Sequence, residues 1–253
     1  MDLSRNCGTL RALQQSRRFP NIIMSSPSSR RKIVFLFDVD NTLLDNDGVI
    51  ADLRRHLERE VGPERAQRYW AIFEQLRNEL GYADYLGALQ RYRSEHPRDP
   101  RLLTVSNFLV NYPFAKRLYP NSFNVIEHVK QWGPAVILSD GDVVFQPRKV
   151  ERSGLSEAVN ENVLIYVHKE KELEDVERRF PAEHYVMVDD KLRILAAMKK
   201  VWRERLTTVW PRQGHYALDP QVIATYPPAD VTLERIGDLV NYDLPALLNR
   251  SNG

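Results

Sequence analysis

The sequence predicts an α/β fold: a parallel sheet covered by helices on both faces, with a block of helices inserted behind its first strand. Three observations carry this. Five short apolar, β-rich runs, at residues 33–37, 135–138, 163–167, 185–188 and 206–210, are continuous rather than alternating, as strands buried on both faces read. From Asn121 onward such runs alternate with helical patterns, so parallel pairing with right-handed crossovers is the economical arrangement. Between residues 46 and 119 no such run occurs, and apolar residues recur at helical spacing instead.

The elements follow in chain order. Ile33-Val34-Phe35-Leu36-Phe37 forms the first strand. The inserted block then carries three apolar sets: Val49, Ile50, Leu53, Leu57 and Val61; Tyr69, Trp70, Phe73, Leu76 and Leu80; Tyr82, Tyr85, Leu86, Leu89 and Tyr92. Residues 96–100, with Pro97 and Pro100, read as a loop within it. The block is expected to be a separate small subdomain over the sheet's carboxyl edge. Asn121 is placed to cap a helix with apolar positions Phe123, Ile126, Val129 and Trp132, ending at Gly133. A second helix carries Leu173, Val176 and Phe180 and stops at Pro181; a third carries Leu192, Leu195, Met198 and Trp202. Residues 229–232 form a weaker sixth strand, and residues 241–253 a short helix with a frayed end. The domain reading is therefore a leader at 1–32, an α/β core at 33–45 and 120–240, an insertion at 46–119, and a tail.

Composition narrows the function classes. The chain has 253 residues, enough for one sizeable core with a smaller companion. Its one cysteine, Cys7, excludes an internal disulfide framework, and no Cys/His spacing suits zinc. No window approaches the roughly 18 apolar residues of a membrane span. In a total charge of +2, residues 1–32 hold seven Arg and Lys against Asp2 alone, a net +6, so the rest of the chain carries −4. A nucleic-acid-binding body is not expected on that balance. The basic leader is expected to be poorly ordered, either an upstream extension or an organellar targeting segment, on an otherwise cytoplasmic protein. No GxGxxG, GxxxxGK[ST] or GxSxG pattern occurs, so dinucleotide, P-loop and nucleophile-elbow readings fail.

The chemistry gathers at strand ends. The first strand runs into Asp38-Val39-Asp40-Asn41-Thr42. Two carboxylates two positions apart can turn to one side, at the edge where open α/β sheets bind ligands. They repel unless a cation lies between them or one holds a proton, and both solutions suit phosphoryl transfer. Three further strands end in Ser139-Asp140-Gly141, in His168-Lys169 and in Asp189-Asp190. Each alone is an ordinary turn, a solvated lysine or a helix cap; together, in that order, they are not explained by capping.

On these residues the chain resembles the haloacid dehalogenase (HAD) superfamily of phosphohydrolases. Phe37-Asp38-Val39-Asp40-Asn41-Thr42-Leu43-Leu44-Asp45 is similar to its DxDxT motif, and Leu138-Ser139-Asp140-Gly141 to its Ser/Thr motif. Lys169 matches its lysine, with Lys171 the alternative because Lys169-Glu170-Lys171-Glu172 departs from the usual continuation with proline. Val188-Asp189-Asp190 matches its acidic motif. The resemblance implies a Rossmann-like parallel sheet with an inserted helical cap of the first type (C1). It also implies a Mg²⁺-dependent phosphatase cleaving a small phosphomonoester through an aspartyl-phosphate. Asp38 would be nucleophile and metal ligand. Asp40 would be general acid and then base, its main-chain carbonyl on the metal. Thr42, Ser139 and Lys169 would hold the phosphoryl group. Asp190 is the first choice for a further metal ligand, with Asp189 second. Dehalogenase members lack the second aspartate, present here as Asp40. Tyr82, Tyr85, Arg91 and Tyr92 are candidate cap contacts to the leaving group. A phosphomutase of the same chemistry and a non-catalytic binding protein are the alternatives. The expected partner is a small phosphorylated metabolite, with neither nucleic acid nor membrane, and the oligomeric state is left open.

Overall fold

The computed structural model describes residues 31–243. The expectations for residues 1–30 of the leader and for the end of the tail fall outside those residues, whereas Arg31 and Lys32, expected in the leader, open the first strand. Six strands form one fully parallel sheet: β1 (Arg31–Phe37), β2 (Ala135–Asp140), β3 (Val163–Tyr166), β4 (Ala182–Val188), β5 (Leu206–Pro211) and β6 (Val231–Leu233). Their order is β3-β2-β1-β4-β5-β6, so the direction of winding reverses beside β1. That reversal opens a crevice at the carboxyl ends of β1, β2 and β4. The register Phe37↔Val188 sets the ends of β1 and β4 level, and Phe37↔Ile137 lets β2 run three residues further, to Asp140. All six strands predicted from sequence are present, with no end moved by more than three residues.

Strand periodicity explains why the runs are continuous. Phe35 and Phe37 of β1, with Val186 and Val188 of β4, enter one buried cluster. Their neighbours Val34, Leu36, Tyr185 and Met187 enter a second on the opposite face. Both faces are dry, so no polar residue alternates into the pattern.

Four helices fill the insertion: α1 (Asn46–Val61), α2 (Pro63–Leu80), α3 (Tyr85–Glu95) and α4 (Arg101–Asn111). The first three follow the predicted apolar sets, and α4 was not singled out. The expected loop at 96–100 lies between α3 and α4. The Asp45 side chain caps α1 by accepting from Gly48 N at 2.8 Å, and Asp84 caps α3 by accepting from Gly87 N at 2.6 Å. The buried face of the insertion is continuous with the core of the sheet. Its buried residues Leu53, Tyr69, Phe73 and Tyr85 belong to the same cluster as Phe35 and Val186 of the sheet. The bridge is Phe145, whose ring lies 5.1 Å from Tyr85 and 5.7 Å from Phe114.

The remaining helices are α5 (Ser122–Val129), α6 (Phe145–Arg152), α7 (Leu155–Ala158), α8 (Leu173–Arg179), α9 (Leu192–Trp202), α10 (Gly214–Leu218) and α11 (Pro220–Thr225). Two details differ from expectation. On α5 the buried stripe is Ser122, Val125, Ile126 and Val129, whereas Phe123 and Trp132 are exposed. Asn121 takes a left-handed conformation there, and its side chain accepts no capping hydrogen bond. Among the described residues no helix is long and apolar enough to cross a membrane.

Candidate active site

The turn after β1 is built so that its side chains point into the crevice. Asp38 N continues the ladder by donating to Val188 O at 2.9 Å. Val39 is buried, and its carbonyl accepts from Leu43 N and Leu44 N, each at 3.0 Å. Asn41 turns the chain back at φ 60°, a conformation asparagine tolerates. Thr42 Oγ1 accepts from Asp190 N at 3.0 Å, which joins this turn to the one after β4. Gln213, beyond β5, closes the arrangement by donating to Thr42 O at 3.0 Å and accepting from Ile236 N at 2.7 Å.

Lys169 lies at the centre. It starts a 3₁₀ turn (Lys169–Lys171) after β3 and is fully buried. Its Nζ meets Asp38 Oδ1 at 2.5 Å and Asp189 Oδ2 at 2.7 Å, and donates to Leu138 O at 3.2 Å. Its backbone N–H donates to Asp140 Oδ1 at 2.7 Å, so the residue after Ser139 fixes the lysine's own turn. Lys171 is exposed. Burial works to lower the Lys169 pKa, but the carboxylates of Asp189, Asp38 and Asp140 outweigh it and the net shift is upward. The ammonium is therefore charged at any working pH.

Asp38, Asp189 and Asp190 bring carboxylate oxygens within 4.8 Å of one another, all in buried positions. Burial pushes the Asp189 carboxyl up to about 6, with the Asp38 charge adding and Lys169 opposing. Burial pushes Asp190 well above the usual carboxylate range; Lys191 opposes, while Asp189 and Asp38 add. Asp38 Oδ2 and both side-chain oxygens of Asp190 are buried with no hydrogen-bond partner. Buried acceptors left without partners are costly, and three convergent carboxylates suit a hard divalent cation. The donor set thus fits a metal of the Mg²⁺ type, and Asp190, with both oxygens free, is the better placed of the acidic pair. Asp189 is already engaged by Lys169 and by the Lys191 N–H at 2.8 Å.

Asp40 faces a different partner. Both its carboxylate oxygens accept from Lys149 Nζ, at 2.6 and 2.8 Å, and the same ammonium donates to Asn46 Oδ1 at 3.0 Å. Lys149 comes from α6 and is fully buried. Tyr85 of α3 joins this group: burial, then the Asp40 charge, push its phenol up, against a hydrogen bond with Asn46.

Of the sequence-predicted residues, Asp38, Lys169, Asp189 and Asp190 converge directly. Ser139, buried at the end of β2, accepts from Gln146 Nε2 at 2.9 Å. Thr42 is buried between the two acidic turns. Among the proposed insertion contacts only Tyr85 reaches the Asp40 group. Arg91 pairs with Glu79 at 2.7 Å on the surface, and Tyr92 packs beside Tyr69 and His96. Tyr82 senses the charges of Asp84 and Asp142. His168 stands against Gly81 at the end of α2. Sequence reasoning missed Lys149, Gln146 and Asn46. The available signal was Gln146 and Lys149 three positions apart on one helix turn behind Ser139-Asp140-Gly141. It also missed the α10 contact, in which His215 Nδ1 meets Asp47 Oδ1 at 2.7 Å and Tyr216 Oη meets Arg77 of α2.

Comparison with known proteins accords with this geometry. None of the curated proteins compared matches the chain. Among solved structures, one from Burkholderia xenovorans LB400, described as a haloacid dehalogenase-like hydrolase, is 68% identical with a TM-score of 0.81, over 84% of this chain and 99% of that one. The HAD-hydrolase YfnB from Bacillus subtilis, solved bound to magnesium, is 18% identical with a TM-score of 0.54, over 87% and 100% of the two chains. The L-2-haloacid dehalogenase from Xanthobacter autotrophicus is 18% identical with a TM-score of 0.55, over 83% and 97%. The last two share the fold. A family model for haloacid dehalogenase-like hydrolases matches residues 34–201, all four strand ends of the site and the whole insertion included. The chain belongs to the haloacid dehalogenase-like hydrolases.

Proposed function

We propose that the protein is a Mg²⁺-dependent phosphatase that cleaves a small phosphomonoester through an aspartyl-phosphate on Asp38. The observation that carries this reading is the second carboxylate, Asp40, seated beside the nucleophile on its own buried lysine. In the first step an Asp38 carboxylate oxygen bonds to phosphorus as the bond to the leaving oxygen breaks, and Asp40 gives its proton to that oxygen. In the second, water attacks phosphorus, Asp40 takes the water's proton, and the Asp38–phosphorus bond breaks to release phosphate. Lys169 neutralises the attacking carboxylate and the phosphoryl oxygens, with Thr42 and Ser139 offering hydroxyls at the same edge. Asp38 and Asp190, with Asp189 behind them and the main-chain carbonyl of Asp40, would hold Mg²⁺, which supplies charge neutralisation for the phosphoryl group.

The dehalogenases that share the fold pose the main contrast. A halide leaves without a proton, so a chain that displaced halide would have no use for Asp40. Nor does carbon–halogen displacement call for three clustered carboxylates with unpartnered oxygens. A phosphomutase would use the same first step and return the phosphoryl group to substrate.

The test is phosphate release across sugar phosphates, nucleotides and small phospho-acids, with Mg²⁺ and with chelator, beside halide release from short 2-haloacids. Metal-dependent phosphate release that vanishes in Asp38→Asn supports the reading. Halide release without phosphate release overturns it. Interconversion of sugar phosphates without free phosphate would make the protein a mutase.

A further inference from the structure

We infer that Lys149 is the positioning residue for leaving-group protonation: it fixes the Asp40 side chain and ties it to Asn46 at the start of the insertion. The inference rests on the phosphatase reading above and deepens it. Lys149 has no place in the motifs that define the site, yet it is as fully buried as Lys169. A buried ammonium is expensive unless every proton is used. Here the three hydrogen bonds to Asp40 Oδ1, Asp40 Oδ2 and Asn46 Oδ1, at 2.6, 2.8 and 3.0 Å, use all three. With its amine fully engaged, Lys149 leaves the Asp40 carboxylate one orientation. Packing alone does not call for a lysine there, since its neighbours on α6 are Phe145 and Val150, and the ammonium lies 5.4 Å from the Phe145 ring.

The two buried lysines divide the site between them. Lys169 serves the side of attack, on Asp38 and Asp189. Lys149 serves the side of departure, on Asp40, whose side chain keeps 24% of its surface open. One Asp40 oxygen can hold Lys149 while the other hands its proton to the leaving alcohol. The Asn46 link matters because Asn46 opens α1, so the ammonium that holds Asp40 also holds the first residue of the insertion. The acid's orientation is thus set jointly by the sheet domain and the insertion that covers it.

The consequence is a loss that scales with the leaving group's need for a proton. Lys149→Met and Lys149→Arg should be compared with wild type, in Mg²⁺, on p-nitrophenyl phosphate and on the best alkyl phosphate of the substrate panel. p-Nitrophenolate departs without protonation; an alkoxide does not. For Lys149→Met, kcat on the alkyl ester is expected to fall by about 100-fold, the lower end of what a general acid contributes. On p-nitrophenyl phosphate the fall should stay within about 5-fold, with KM moving less than about 3-fold on either substrate. Lys149→Arg should recover part of the alkyl activity. Equal losses on both esters would overturn the inference and reduce Lys149 to a packing role, while leaving the phosphatase reading intact. A wild type silent on every phosphomonoester would overturn both. Should Lys149→Met fail to fold, Asp40→Asn/Lys149→Met, which leaves no unpaired charge, is compared with Asp40→Asn. Equal alkyl activity in the two supports action through Asp40, and a further loss in the double variant refutes it.

Discussion

The backbone N–H of Asp190 donates to the hydroxyl of Thr42 at 3.0 Å, so the turn that carries the proposed nucleophile and the turn that carries the acidic pair are one hydrogen-bonded unit. Both groups are buried. Thr42→Val would keep the shape and remove the acceptor, leaving a buried amide without a partner. The expected cost is about 1–3 kcal/mol, against under about 1 kcal/mol for Thr42→Ser, measured by denaturant unfolding.

Asp38→Asn removes the proposed attacking oxygen and one of three crowded carboxylates. Turnover is expected to fall by at least about 1,000-fold. The thermal midpoint should hold or rise, since carboxylate repulsion is relieved. Retained phosphate release would remove Asp38 from the mechanism.

Lys169 and Lys171 separate a buried cation from a solvated one. Lys169→Ala leaves Asp38 and Asp189 without their ammonium, and breaking such a buried group typically costs about 3–5 kcal/mol. Lys171→Ala, at an exposed position, should stay within about 0.5 kcal/mol and near full activity. The reverse ranking would move the lysine assignment to Lys171.

The partnerless oxygens of Asp38 and Asp190 predict a ligand effect that needs no turnover. Mg²⁺ at 100 times its Kd would stabilise the folded state by about 2.7 kcal/mol, raising Tm, and chelator should reverse this. In Asp190→Asn the rise should largely disappear. A rise of equal size in that variant would place the ion elsewhere.

At the far edge of the sheet, Asp230 Oδ2 accepts from Lys199 Nζ, Thr208 N and Thr208 Oγ1 at 2.8, 2.8 and 2.9 Å, pinning β6 to β5. Burial works to raise its carboxyl, but these bonds prevail and hold it below the ordinary value of 3.8. A depressed folded pKa means the stabilisation is complete above the unfolded value of about 3.9 and is lost as pH falls through the folded one. Asp230→Asn should therefore be less stable than wild type at pH 7, by about 1 kcal/mol once partial exposure is discounted, and the gap should close as the pH falls through the lowered folded value.

Much of this site was legible because its strands end abruptly. Each continuous apolar run stops at a polar residue, and a parallel sheet carries those residues to one edge. Lys149 escaped because a lysine in a helix normally reads as solvated, and its partners lie 109 and 103 residues away in sequence. Asn46 escaped as an ordinary start of α1. Phe123 and Trp132 were assigned inward because they are large, but the stripe that meets the sheet runs through Val125 and Ile126. The shared core escaped for a related reason. Phe145 meets Tyr85 and Phe114 only in three dimensions, and helical periodicity does not say whether a buried face turns to its own helices or to another layer.

The chain leaves and re-enters the sheet at a single point. Leu44 and Leu118 are antiparallel bridge partners, Asp45 N donates to Arg117 O at 2.7 Å, and Tyr119 N donates to Leu43 O at 3.0 Å. Everything from α1 to α4 hangs from that paired crossing, while Asp38, Lys169, Asp189 and Asp190 belong to the sheet. Grafting another insertion between Asp45 and Arg117 would thus leave the attacking half of the machinery in place. What would change hands is Asn46 and Tyr85, the chain's influence over which alcohol is allowed to depart.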